Sequence, residues 1–107
     1  MEDDFARLRS DVREFVRARG WERFHAPKNL AMALAVEAAE LLEQFQWLTT
    51  EESDELDEAT KGAVADELAD VQIYLIQLSE RLGIDLLRSV REKMAKNARK
   101  YPAPGPQ

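Results

Sequence analysis

The sequence predicts an all-α protein, a four-helix bundle that assembles as an oligomer. Two observations carry the helices. Apolar residues recur at helical spacing in four long segments, and no stretch of useful length alternates with a period of two. A third carries the oligomer. Residues 30–36, "LAMALAV", are apolar around the full circumference of a helix, and one small bundle cannot cover every side of it.

Glycine and proline punctuate the four segments. The first runs from about residue 3 to 19, with Phe5, Leu8, Val12, Phe15 and Val16 on one face, and Gly20 closes it. "WERFHAPKN" connects it to a second helix over about 27–47, with Pro27 suited to the first turn. "LTTEESDELDE" is a polar, acidic connector, with a short helical turn that Thr50 would cap. A third helix spans about 57–82, slightly weakened by Gly62 and ended by Gly83. A fourth spans about 84–100 and stops at Pro102. Residues 1–102 read as a single domain, and residues 103–107 as a loose tail.

Composition excludes several classes. With no cysteine there is neither a disulfide framework nor a thiolate metal site. The opening "MEDDFARLRS" is acidic and holds no apolar h-region, and no uncharged run is long enough to span a bilayer, so a cytoplasmic protein with no membrane partner is expected. A formal net charge of -6 argues against binding a nucleic-acid polymer through a broad basic surface. The charge is unevenly spread. Residues 51–70 hold nine acids and one base, Lys61, whereas residues 88–100 hold six bases and one acid, Glu92.

Two carboxylates stand where apolar residues are expected. At about 100° per residue, Leu30, Leu34, Leu41 and Phe45 fall within about 80° of Glu37, which therefore lies inside the apolar stripe of its helix. Glu40 sits about 60° to the other side. The third helix repeats the arrangement: Leu78, Val71, Val64 and Leu82 surround Glu67, with Asp70 about 60° to the other side and Tyr74 about 20° away. Burying one carboxylate is costly and clustering several is worse. Neither stripe carries an Arg or Lys to compensate, so a divalent cation is the expected partner. An all-oxygen donor set favours magnesium, or manganese, over the Glu-x-x-His pairs of a di-iron bundle; the one histidine, His25, lies in a connector.

"EAAE" (37–40) and "ELAD" (67–70), with 26 residues between them, resemble the E-x-x-E … E-x-x-D signature of the MazG-like all-α nucleoside triphosphate pyrophosphohydrolases. "WERFHAPKNLAMAL", "EAAELLEQFQW", "DELADVQIYLIQL" and "KMAKNARKYP" are similar, in that order, to segments of the dCTP pyrophosphatase branch. The resemblance implies cleavage of a nucleoside triphosphate between the α and β phosphates, with magnesium held by Glu37, Glu40, Glu67 and Asp70 as the catalytic acids. It implies a dimer or dimer of dimers with sites near subunit interfaces. It also implies substrate contacts at His25, Trp47 and Tyr74, with Lys93 and Asn97 associated with the substrate. Lys93, with Arg99 or Lys100, would neutralise the leaving pyrophosphate. Trp47 would serve as a stacking platform, whereas Trp21 and Phe24 read as packing residues. The acidic linker differs from the Pro-rich linker of some relatives, so that loop's base contacts are not carried over. The expected activity is conversion of a dNTP, dCTP or a modified dCTP, to dNMP and pyrophosphate in nucleotide-pool sanitation. A broad NTP or dUTP pyrophosphatase, or a helical interaction module without chemistry, are the alternatives.

Overall fold

The computed structural model describes residues 3–105, and these are helical throughout apart from turns and connectors. The helices are α1 (Asp4–Ala18), α2 (Pro27–Glu43), α3 (Thr50–Ser53), α4 (Glu58–Leu82) and α5 (Leu86–Lys100), with a 3-10 turn at Trp21–Phe24. Residues 106–107 of the expected tail lie outside the described residues; 103–105 carry no regular structure.

Local chemistry sets the ends. Asp3, Asp57 and Asp85 cap α1, α4 and α5 by accepting from the backbone N–H of Phe5 (3.0 Å), Thr60 (2.7 Å) and Arg88 (3.1 Å). Gly20 and Gly83 stop the chain with φ of 64° and 66°, left-handed angles that glycine adopts without a Cβ penalty. Beyond Gly83, the Ile84 N–H donates back to the Ser79 carbonyl, so α5 starts at Leu86 and not at 84.

Two expected boundaries move. α2 ends at Glu43, four residues before Trp47, because the N–H groups of Gln44 and Phe45 bond three residues back, to Leu41 and Leu42, and wind the chain out of the helix. The cap of α3 is Thr49 and not Thr50. Glu52 stands three residues after Thr49, which allows a reciprocal capping box with bonds of 2.8 and 3.1 Å.

The packed centre is α2 against α4, with α1 laid on α4. Leu30 of α2 and Ile76 of α4 are 2 % and 0 % exposed, and Val12 and Val16 of α1 complete the buried apolar set. Glu80 of α4 fastens α1 from outside that core, pairing with Arg9 at 3.2 Å and Arg13 at 2.6 Å. α5 packs extensively against none of the other helices. The expected fourth wall of a bundle is therefore not built within one chain.

Two global quantities agree. The radius of gyration is 17.3 Å, against about 13 Å for a compact chain of this length. The accessible surface is 8562 Å², against roughly 6,000 Å² for a folded monomer of this mass. No described helix is long and apolar enough to cross a membrane.

Ile76→Ala is expected to lower the unfolding free energy by about 2–5 kcal/mol, since it opens a cavity at the α2–α4 contact. Urea denaturation monitored by circular dichroism measures this, and a cost below about 1 kcal/mol would place the core elsewhere.

Candidate metal centre and nucleotide site

The α2–α4 contact brings the two acidic motifs face to face. Carboxylate oxygens of Glu37, Glu67 and Asp70 all lie within 4.8 Å of one another. Glu37 and Glu67 are half-buried and Asp70 is exposed, so the cluster opens to solvent on the Asp70 side. One oxygen each of Glu37 and Glu67 is buried without a hydrogen-bond partner. Oxygen donors about 2.0–2.1 Å from a shared magnesium ion stand about 3–4 Å apart, so this spacing, the hard donors and the two unsatisfied oxygens fit a divalent cation.

The electrostatics show what these acids do to one another. The adjoining Glu67 carboxyl, followed by burial, pushes Glu37 above its ordinary value of 4.5, with the charges of Glu67 and Asp70 adding to the rise and Glu40 opposing it. Glu40 is raised too, first by the Glu37 carboxyl. Glu40 lies outside the set of three, one turn further along α2.

The substrate residues expected from the sequence divide. Tyr74 is half-buried on α4, about 20° from Glu67 around the helix. His25 follows the 3-10 turn and lines a cavity between α1, α2 and α4, whose apolar floor is Val12, Val16 and Leu30. Trp47 is 87 % exposed in the turn after α2 and does not line that cavity. Lys93 and Asn97 are exposed on α5, away from the packed centre. Arg99 and Lys100 share that exposed helix.

Trp21 and Phe24, expected to pack, lie at the surface of the single chain. They are 42 % and 58 % exposed. The Trp21 ring stands edge-on to Phe15 at 5.8 Å and to His25 at 6.3 Å, with the Arg19 guanidinium 3.4 Å from the Phe15 ring centre. An aromatic and cationic ledge thus borders the cavity at His25. Its sequence signal is short: "WERFH" follows a glycine and belongs to no apolar stripe. The 3-10 turn is what turns Trp21 outward.

This arrangement is an all-helical fold in which acids of α2 and α4 meet across the contact of the two helices. The model of the MazG-like family matches residues 32–106, and the chain belongs to that family. It is 43% identical over 103 residues to dCTP pyrophosphatase 1 of Homo sapiens and 41% identical over 102 residues to that of Bos taurus. Each match takes in 94% of this chain, which spans 59% of the length of those relatives. A solved pyrophosphatase structure from Archaeoglobus fulgidus is similar with a TM-score of 0.90 at 44% identity, covering 96% of both chains.

The raised Glu37 and Glu40 give a signed pH dependence. Above 4.5 the folded, metal-free protein holds protons that the unfolded chain has released, so these groups lose stabilising weight as pH rises through their folded values. Asp57 and Glu51 are lowered and act in the opposite sense, at lower pH. The difference between wild type and Glu37→Gln isolates the cluster. In EDTA the variant should gain stability over wild type as pH rises from about 4.5 towards 7, and magnesium should reverse the order because it binds the deprotonated acids. Thermal melts across pH, with and without magnesium, check both signs.

Proposed function

We propose that the protein is a magnesium-dependent nucleoside triphosphate pyrophosphohydrolase that converts a dNTP, dCTP or a modified dCTP, to the monophosphate and pyrophosphate. The observation that carries this reading is the meeting of Glu37, Glu67 and Asp70 across two helices with two buried oxygens unsatisfied. An interaction module has no use for such a cluster. The substrate named for the human and bovine relatives, and the pyrophosphatase from Archaeoglobus fulgidus, support the reaction class.

Glu37, Glu67 and Asp70 hold the ion in this reading, and Glu40 completes the four-acid set. Bound there, magnesium would offset the charge of the triphosphate and stabilise charge developing on the leaving pyrophosphate; manganese would serve the same donors. The chain's own residues do the positioning. Tyr74 flanks the acids on the α4 face and offers its hydroxyl to sugar or phosphate. His25, with Trp21 beside it, borders the cavity that receives the nucleoside end. Trp47, exposed after α2, is a stacking surface that closes over the substrate. A cytoplasmic nucleotide-pool role follows from this chemistry.

The bundle is completed by further copies of the chain, as a dimer of dimers. Leu87, Val90 and Met94 are 37 %, 46 % and 66 % exposed and share one stripe of α5; Met32 and Val36 of α2 are likewise exposed. With α5 seated on a neighbour, Lys93 and Asn97 are carried toward a site, and the six bases of residues 88–100 approach the anionic substrate.

Two outcomes are expected. With magnesium and dCTP the first phosphorus product is pyrophosphate; Glu67→Gln lowers turnover by about three orders of magnitude or more, yet leaves the metal-free melting temperature unchanged or raised. Orthophosphate as the primary product, or a variant that loses stability while keeping its affinity for magnesium, would overturn the reading. By light scattering the wild type exceeds monomer mass at micromolar concentration, and Val90→Asp with Met94→Asp drives it toward monomer. A monomeric wild type would refute the assembly.

A further inference from the structure

The 3-10 turn Trp21–Phe24 carries the aromatic ledge, yet burial does not hold it. None of its four residues is buried, and no side chain caps its start. Gly20 enters it with a left-handed φ of 64°, and His25 leaves it with φ -102° and ψ 47°, outside the helical region. A single turn of this kind has little stability of its own. The Trp21–Phe15 ring contact anchors its first residue and leaves its exit free.

Two side chains from different helices hold that exit. Asn29, in the first turn of α2, donates its amide to the Phe24 carbonyl at 3.2 Å. Arg81, in the last turn of α4, donates to the Glu22 carbonyl at 3.4 Å, across 59 residues of sequence. The same Glu22 carbonyl accepts the His25 N–H at 3.1 Å. The peptide unit between Phe24 and His25 is thereby tied at both ends: its oxygen to α2 and its N–H, through the Glu22 carbonyl, to α4. A planar unit fixed at both ends fixes the direction in which the His25 side chain leaves the backbone. His25 is half-buried and lines the cavity, with the Trp21 ring edge-on to it.

Ordinary helix chemistry accounts for neither bond. The Asn29 amide addresses a carbonyl outside its own helix. A base near a helix C-terminus complements the dipole, but Arg81 reaches past the end of α4 to a carbonyl of the connector. Both side chains are exposed, so each bond adds little to global stability. Its effect falls on the segment it holds.

We propose that Asn29 and Arg81 are positioning residues for the nucleotide site: together they fix the Phe24–His25 peptide, so that His25 and Trp21 meet the nucleotide in one preset arrangement. The assignment rests on the nucleotide-hydrolase reading and adds to it the groups that set His25. Both act through His25. Without them the turn samples other arrangements, and apparent affinity falls with the fraction that stays competent. The acid cluster is held separately, by the α2–α4 contact, so the chemical step keeps its geometry.

His25 is the only histidine of the chain, so its ring protons are identified directly in an NMR spectrum. In the metal-free full chain, Asn29→Ala and Arg81→Gln should each move those signals toward the position of a free histidine, with melting temperatures within about 4 °C of wild type. With dCTP and magnesium, each should raise KM about threefold to tenfold, as loss of one hydrogen bond allows, and leave kcat within about twofold. His25→Ala should raise KM by itself, and neither substitution should raise it further in that background. Unmoved His25 signals, a loss confined to kcat, an undiminished KM increase in the His25→Ala background, or His25→Ala without effect on KM would overturn the proposal. If Asn29→Ala does not fold by circular dichroism, Asn29→Asp, which keeps the shape, lacks the donor and suits the first turn of a helix, must give a KM increase that vanishes in the His25→Ala background. Its persistence there also overturns the proposal. Displaced His25 signals in a protein that does not turn over dCTP support the clamp and remove the reaction, whereas turnover with undisplaced signals removes the clamp and leaves the reaction standing.

Discussion

The contact between α2 and α4 is the constraint on which the rest of the molecule depends. Leu30 and Ile76 are its fully buried residues, and the apolar stripes around them decide how the two helices roll. Glu37 and Glu67 occupy those same stripes. Once the helices seat, their carboxylates have no choice but to meet, with Asp70 beside them. The crowding is visible in the raised proton affinity of Glu37 and Glu40, each held up first by a hydrogen bond to the neighbouring carboxyl, with burial and like charge adding to it. Hydrophobic burial along two helices thus holds together a set of charges that would otherwise separate, and a cation is the natural counterweight.

α1 works through a different kind of bond. Its apolar contribution is small, Val12 and Val16, and its outer edge is tied to α4 by Glu80 between Arg9 and Arg13. That tie leaves a gap between α1 and the α2–α4 pair, floored by apolar side chains and bordered by His25. The 3-10 turn after Gly20 turns Trp21 outward at the cavity's edge. The acids lie toward the middle of α4 and the cavity toward its C-terminal end.

The chain exposes far more apolar surface than its size requires. α5 carries an unpartnered stripe, α2 shows Met32 and Val36, and the radius of gyration exceeds that of a compact chain. These features share one physical cause: a helix apolar on several sides needs more neighbours than four short helices of one chain supply. The proposed assembly answers that deficit, and it gives the basic α5 a use that packing within the chain does not.

Much of this was legible in the residues. Helical periodicity, the stops at Gly20 and Gly83, and the placement of Glu37 and Glu67 within apolar stripes are local properties of the backbone, and an α-helix converts sequence spacing directly into angle. The acidic motifs, together with four similar segments in the same order along the chain, indicated the family. Other features were not local. The peeling of the chain at Glu43, which moves Trp47 out of the helix, depends on carbonyls three residues back competing with those four back. The exposure of Trp21 depends on a turn, and the separation of α5 on the absence of a facing surface in the same chain. The cavity lined by Val12, Val16 and Leu30 exists because α1 stands off from the α2–α4 pair. A periodicity states which side of a helix is apolar; what that side meets, and where a gap remains, is decided when the helices pack.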